Sequence, residues 1–111
     1  MPIVYDQAAK KDIPELIRLR IAYMIDDFGS ISEKERAAME AQLPDYFDRK
    51  LGTELIAFTA RDENPPRSAC SKIIAVAYLH IIEMPANSVL LNGLYGDVLS
   101  VYTEREYRGR G

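Results

Sequence analysis

Arginine and glycine alternate in Arg108-Gly109-Arg110-Gly111, with Arg105 just ahead of them. Glycine lets a backbone approach a ligand closely and adopts the left-handed conformations that turn successive N–H groups toward an anion. Arginine adds a permanent charge and a fork of donors that matches phosphate oxygens. Before this run, Leu99-Ser100-Val101-Tyr102-Thr103 has the β-branched and aromatic content of a strand. A strand running into such a loop is a place to hold a pyrophosphate, usually completed by the free amides at the start of a following helix. The sequence stops inside the loop. It therefore reads as the front part of a nucleotide- or coenzyme-binding enzyme, with little activity expected of these 111 residues alone.

The stretch 99–111 resembles the acetyl-coenzyme A motif of the GNAT-superfamily N-acetyltransferases. That motif is a strand ending in Val/Tyr, a short turn, and then [Arg/Gln]-x-x-Gly-x-[Gly/Ala] opening a helix. Arg108 matches its first position and Gly111 its fourth, while the sixth position and the helix have no counterpart in the sequence. The order of elements carries the resemblance over essentially the whole chain, as the N-terminal portion of one such domain spanning 1–111. It implies transfer of an acetyl group from acetyl-CoA to an amine, on a small molecule or a peptide. Main-chain groups of Leu99, Val101 and Tyr102 would meet the pantetheine arm and the thioester carbonyl. Arg108, Gly109, Arg110 and Gly111 would meet the pyrophosphate. The connection 23–30 would line the acceptor site, with Asp26 and Asp27 attracting a cationic amine between Tyr23 and Phe28. The plain alternative there is a helix end with two solvated acids.

An attacking amine must lose a proton, so a general base with a pKa near the working pH is needed. Asp97, at the start of the last strand, and Glu83, at the end of the strand before it, are the candidates. The plain alternative for both is a solvated strand-end carboxylate. His80 lies in an apolar strand and reads as a packed residue. Cys70 sits in a polar loop without a histidine near it in sequence. No His, Cys, Asp or Glu spacing suggests a metal site.

The elements that must position these residues follow from periodicity. Residues 3–5 form a short apolar strand. Asp12-Ile13-Pro14-Glu15 has the signature of a capped helix start, with proline in the first turn. Ile13, Leu16, Ile17, Ile21, Met24, Ile25 and Phe28 then repeat at three- and four-residue steps, and Gly29 ends the run. Ser32-Glu33-Lys34-Glu35 is a second capping box. It opens a helix with Met39, Leu43, Phe47 and Leu51 on its apolar side, kinked or split by Pro44. Residues 54–61 read as a strand, and 62–71 as a polar, proline-broken connection. Residues 72–82 form a long strand, apolar on both faces, expected at the centre of a sheet covered on both sides. Turn residues follow, and 96–103 form the last strand. Tyr5, Tyr46 and Tyr78 are expected in the core. In the last strand, strict alternation puts Leu99 and Val101 on one face and Val98 and Tyr102 on the other.

This order predicts an α/β layer fold, a mixed and mainly antiparallel sheet with two N-terminal helices packed on it. The net charge of −3 over 111 residues lacks the basic excess of a nucleic-acid binder. One cysteine precludes an internal disulfide and suits a reducing, cytoplasmic setting. The N-terminus has no basic, apolar signal pattern, and the longest apolar run is too short to span a membrane. With no helix after it, the last strand would leave an edge and a face bare. A homo-oligomer joined there is therefore expected. The competing functional reading is a non-catalytic α/β binding module that associates through that edge.

Overall fold

A computed structural model describes residues 3–62 and 72–109. Strand β1 (Ile3–Gln7) leads through a 3-10 turn at Lys10–Asp12 into helix α1 (Ile13–Phe28). Helix α2 (Glu33–Lys50) follows, then strands β2 (Leu55–Asp62), β3 (Lys72–Glu83) and β4 (Leu94–Thr103), and a second 3-10 turn at Arg105–Tyr107. The strands form one sheet in the order β1-β2-β3-β4, and every pairing is antiparallel. The expected two-helix, antiparallel-sheet architecture is the one observed.

The core lies between the helices and one face of the sheet. Leu16 and Leu19 of α1 and Leu43 and Phe47 of α2 meet Leu55 and Ala57 of β2 and Ile73, Val76 and Tyr78 of β3. Leu19 is fully buried although the periodicity assigned above passes over it, whereas Phe28, placed on the apolar face, is 67% exposed at the helix end. Tyr78 is buried and Tyr46 half-buried, as expected. Tyr5 is not in the core: it is 72% exposed, because its side chain falls on the sheet face that the helices do not cover. The same geometry corrects the picture of β3 as covered on both sides. Tyr5, Phe58, Val98 and Val101 stand exposed, and among the described residues no helix packs over them.

The two capping boxes fare differently. At α2 the box forms in full, with the Glu35 amide donating to Ser32 Oγ (3.1 Å) and the Ser32 amide to Glu35 Oε1 (2.8 Å). At α1 it does not. Asp12 accepts instead from the Ala9 amide (2.9 Å) and from the Arg61 guanidinium (2.7 Å), while Glu15 turns to Arg18. Pro44 leaves α2 as one unbroken helix. At the β3–β4 connection Asn87 Oδ1 accepts from the amides of Val89 and Leu90. Gly93 adopts a φ of +73° there, where an added Cβ would meet the Met84 carbonyl oxygen at 2.1 Å.

Among the described residues Arg61 is the one buried cation, with a side chain only 8% exposed. It is held by Asp12 at 2.7 Å and by Asp6 at 3.1 Å, which joins β2 to β1 and to the entrance of α1. Burial works to raise the Asp12 pKa, but the hydrogen bond from Arg61, the Ala9 amide and the cationic charge outweigh it and hold the carboxyl low. Removing one partner of such a pair strands a charge in low dielectric. Asp12→Ala should therefore cost about 3 kcal/mol of stability, read as a lower urea midpoint with an unchanged slope. A loss below about 1 kcal/mol would show that Asp6 alone satisfies Arg61.

Candidate functional site

Strand β4 is an edge strand of the sheet and is irregular where chemistry was expected. Leu99 pairs with Tyr78 and Tyr102 with Val76, so Ser100 and Val101 together face Ala77. This is a β-bulge. Ser100 has a φ of +52°, left-handed and unusual for a residue other than glycine. Its hydroxyl accepts from Arg20 Nη1 of α1. The extra residue resets the alternation. Leu99 and Tyr102 both pack against the core, while Val98 and Val101 are 65% and 62% exposed. The expected pairing of Leu99 with Val101 on one face therefore fails, because one residue has been inserted between them.

After Thr103 the chain turns sharply, the Glu104 amide donates to the Ile74 carbonyl (2.8 Å), and side chains dock it further. Arg18 of α1 donates to Glu104 Oε1 (2.5 Å), to Glu15 (2.7 Å) and to the Ile73 carbonyl (3.0 Å). These bonds raise its pKa, the contact with Glu15 first. Tyr107 donates its hydroxyl proton to Asp62. Arg105 and Arg108 both reach Asp26, at 2.6 and 2.9 Å, and Arg108 also donates to the Thr103 carbonyl at 2.7 Å. The Arg108 guanidinium lies 5.4 Å from the Tyr102 ring centre. Gly109 follows with a φ of +80° and open space around it.

Residues expected at two separate sites thus line one place. Tyr23, Asp26 and Asp27 from α1 and Val101, Tyr102, Thr103 and Arg108 from the end of β4 surround an open depression of about 350 Å³. Tyr23 meets Tyr102 edge-on at 6.1 Å. Asp26 there is matched by two arginines, whereas Asp27 is exposed. Phe28 lies outside the depression, and Leu99 instead lines a cavity beneath the bulge. Arg110, Gly111 and Cys70 lie outside the described residues.

The two candidate bases stand apart from this depression. Asp97 pairs with His80 across the strands and is exposed, roughly 10 Å along β4 from Ser100 at ~3.3 Å per residue. Glu83 is exposed at the end of β3, opposite Leu94, roughly 20 Å from Ser100 on the same scale. Sequence reasoning missed Arg18, Arg20, Glu104 and Ser100. Nothing local marks an arginine on a helix as the partner of a residue some eighty positions later.

Hydrogen bonds from Arg105 and then Arg108 hold the Asp26 carboxyl below the ordinary carboxylate range. A group that titrates lower folded than unfolded contributes above its unfolded pKa of ~3.9, and that contribution is lost as the pH falls through the folded value. In Asp26→Asn at neutral pH, 15N relaxation should report faster motion at 104–109. The native chain should show the same loosening only under acid conditions. An unchanged loop in the variant would mean that Arg18 and Tyr107 hold it alone.

No family model matches the chain, and no curated protein matches it. Solved structures do. A predicted acetyltransferase from Clostridium acetobutylicum, crystallised with acetyl-CoA, is 29% identical and superposes with a TM-score of 0.79 over 99% of this chain and 65% of that one. A GCN5-related N-acetyltransferase from Ralstonia eutropha gives 17% identity and a TM-score of 0.73, over 99% of this chain and 67% of that one. Glucosamine-6-phosphate N-acetyltransferase from Arabidopsis thaliana gives 16% and 0.54, over 99% and 65%. The chain thus spans 65% of the length of the Clostridium protein. Its fold is shared with these acetyltransferases over the part of their length that the chain covers.

Proposed function

We propose that this chain, with the fold of the N-terminal portion of a GNAT acetyltransferase, takes part in moving an acetyl group from acetyl-CoA to an amine. The bulged edge strand β4 running into the Arg105–Arg108 turn carries the reading. One edge of β4 pairs with β3, which leaves the other edge's N–H and C=O groups for the amides of a pantetheine arm. The bulge at Ser100 and Val101 interrupts the regular ladder where a thioester carbonyl would need a donor. Arg108 and Gly109 fit a pyrophosphate, and Arg110 and Gly111 come next in the sequence. Bound acetyl-CoA would supply the activated acetyl carbon. In the overall reaction the amine nitrogen forms the new N–C bond, the C–S bond breaks to release the coenzyme thiol, and the amine gives up one proton. Asp97 is the better placed of the two carboxylates to take that proton, through water, since Glu83 stands at the far end of the strand pair. Tyr23 and Asp27 border the acceptor side. The single cysteine fits a cytoplasmic location.

Calorimetry with acetyl-CoA tests this reading. Arg108→Ala should weaken binding roughly tenfold, the worth of one charge-assisted contact of ~1.4 kcal/mol. Equal affinity in the native and variant proteins would remove the phosphate loop from the proposal.

The exposed apolar residues favour a second reading, in which copies of the chain associate near β4. Tyr5, Phe58 and Val101 surround an open hollow on the uncovered sheet face. A two-fold pairing of this edge and face would bury them. A partner at the β4 edge and a pantetheine arm would compete for the same main-chain groups. Sedimentation equilibrium over a concentration series should show a dimer, weakened by Val101→Lys and by acetyl-CoA. A monomer at every concentration would exclude this association.

A further inference from the structure

Three charges at the end of α1 and the turn after β4 hold one another. Asp26 has the charge to attract a cationic amine, and Arg105 and Arg108 have the donors to grip a phosphate. Asp26 Oδ1 accepts from Arg105 Nη2 at 2.6 Å, and Oδ2 accepts from Arg108 Nη2 at 2.9 Å. Each carboxylate oxygen is thus taken by a separate guanidinium. Two oxygens of a phosphate gripped by the same two forks would make the same pair of contacts. The Asp26 side chain is 29% exposed, and both it and Arg108 line the depression, so solvent ions reach the pair.

The two arginines differ in freedom. Arg108 also donates from Nε to the Thr103 carbonyl and lies over the Tyr102 ring, which fixes it in place. The Arg105 side chain is 80% exposed and, among the described residues, bonds to Asp26 alone. Arg105 is therefore the arm that can swing, and Arg108 is the fixed point. Nearby charges are committed elsewhere: Arg18 engages Glu104, and Arg20 donates to Ser100 and stands over Tyr23. Asp27 borders the depression and, among the described residues, forms no ion pair.

Exposed ion pairs of this kind are weak, so an external ion can replace either partner. Opening the internal pair costs free energy, and the first ligand to bind bears that cost alone. The second then finds its receptor already vacated. Two ligands of opposite charge that open one pair bind with positive coupling, and the coupling is reciprocal. We propose that Asp26, Arg105 and Arg108 form a self-occupied double site, in which the carboxylate holds the place of a phosphate and the guanidinium groups hold the place of an ammonium group, so that an anion and a cation bind it cooperatively. Taking the two ligands as coenzyme and acceptor rests on the acetyltransferase reading, whereas the coupling of a phosphate anion to an ammonium cation does not. Asp27 adds attraction for the cation and carries no coupling.

Calorimetry at fixed ionic strength tests this, with inorganic pyrophosphate as the anion, propylamine as the cation and propanol as the neutral control. Saturating propylamine should tighten pyrophosphate binding about fivefold, the low end of ordinary coupling between sites. Pyrophosphate should tighten propylamine by the same factor, and propanol should change nothing. Asp26→Asn should bind pyrophosphate at least as tightly as the native chain does without amine, because the competing charge is gone, and its coupling should vanish. Asp27→Asn should weaken propylamine yet keep the coupling. In the native chain the Asp26 carboxylate 13C resonance should move when pyrophosphate alone is added. No pyrophosphate binding, no coupling in the native chain, an unmoved resonance, or full coupling in Asp26→Asn would each overturn the proposal. Weaker pyrophosphate binding in that variant would also overturn it, by making Asp26 a support of the loop and not its competitor. If Asp26→Asn does not fold, the native coupling and the carbon resonance decide. Coupling in a chain that does not bind acetyl-CoA would overturn the acetyltransferase reading and leave the double site standing.

Discussion

Leu99 and Tyr102 both pack into the core from one strand, although a regular strand would send residues three apart to opposite faces. That requirement dominates the functional end of the molecule. It is met by one additional residue in β4, so that Ser100 and Val101 together oppose Ala77. The left-handed backbone at Ser100 costs of order 1–3 kcal/mol. Partial burial of Leu99 and Tyr102, each worth less than the roughly 1.5–3 kcal/mol of a fully buried apolar side chain, works against that cost together with the bond from Arg20. Three consequences share this origin. The ladder is interrupted at the edge, Val101 turns to the uncovered face, and the Ser100 hydroxyl turns toward the cavity under the helices. A strand without the bulge would keep its ladder and close off the cavity wall.

Helix α1 supplies the fixed points for everything around the bulge. Asp12 at its entrance engages Arg61, Arg18 engages Glu104, Arg20 engages Ser100, and Asp26 near its end engages Arg105 and Arg108. These contacts differ in weight. The Arg61–Asp12 pair is buried, so breaking it leaves an uncompensated charge. The Asp26 contacts are at the surface, where each ion pair contributes little by itself. Their importance is geometric. They fix the direction in which the chain leaves β4 and bring Arg108 over Tyr102.

The layer order was legible in the sequence because it rests on local signals. Apolar steps of three and four gave α1 and α2, the Ser32–Glu35 box formed as written, and the turn chemistry of Asn87 and Gly93 gave the β3–β4 connection. The failures share one cause, which is tertiary competition for a group already given a local role. Asp12 matches a helix cap in every local respect, yet a buried guanidinium forty-nine positions away is a stronger donor than the amides of its own first turn. Tyr5 has the size of a core residue but falls on the uncovered face. The bulge is invisible to alternation, since Leu-Ser-Val-Tyr is as good a regular strand as an irregular one. The depression shared by Tyr23, Asp27 and Val101 was readable only as two separate candidate lists, because nothing local says that the end of α1 and the end of β4 meet.

The double engagement of Asp26 bears on how an anion would be received. Arg105 and Arg108 are not free charges awaiting a phosphate, since each already donates to a carboxylate. A pyrophosphate must share their donors or displace Asp26 from them. Guanidinium groups present five N–H donors, so sharing at Arg108 is compatible with its bonds to Asp26 and to the Thr103 carbonyl. Sharing also removes most of the reorganisation that a loose arginine would require, because the side chain is held in place beforehand. Displacement would free the Asp26 carboxylate beside Asp27, at the rim of the depression, and add negative charge where a cationic amine approaches. Either route ties the phosphate end of the site to its acceptor end through one residue on α1. A helix end that looks from sequence like two solvated acids thereby becomes the joint between the two halves of the proposed reaction.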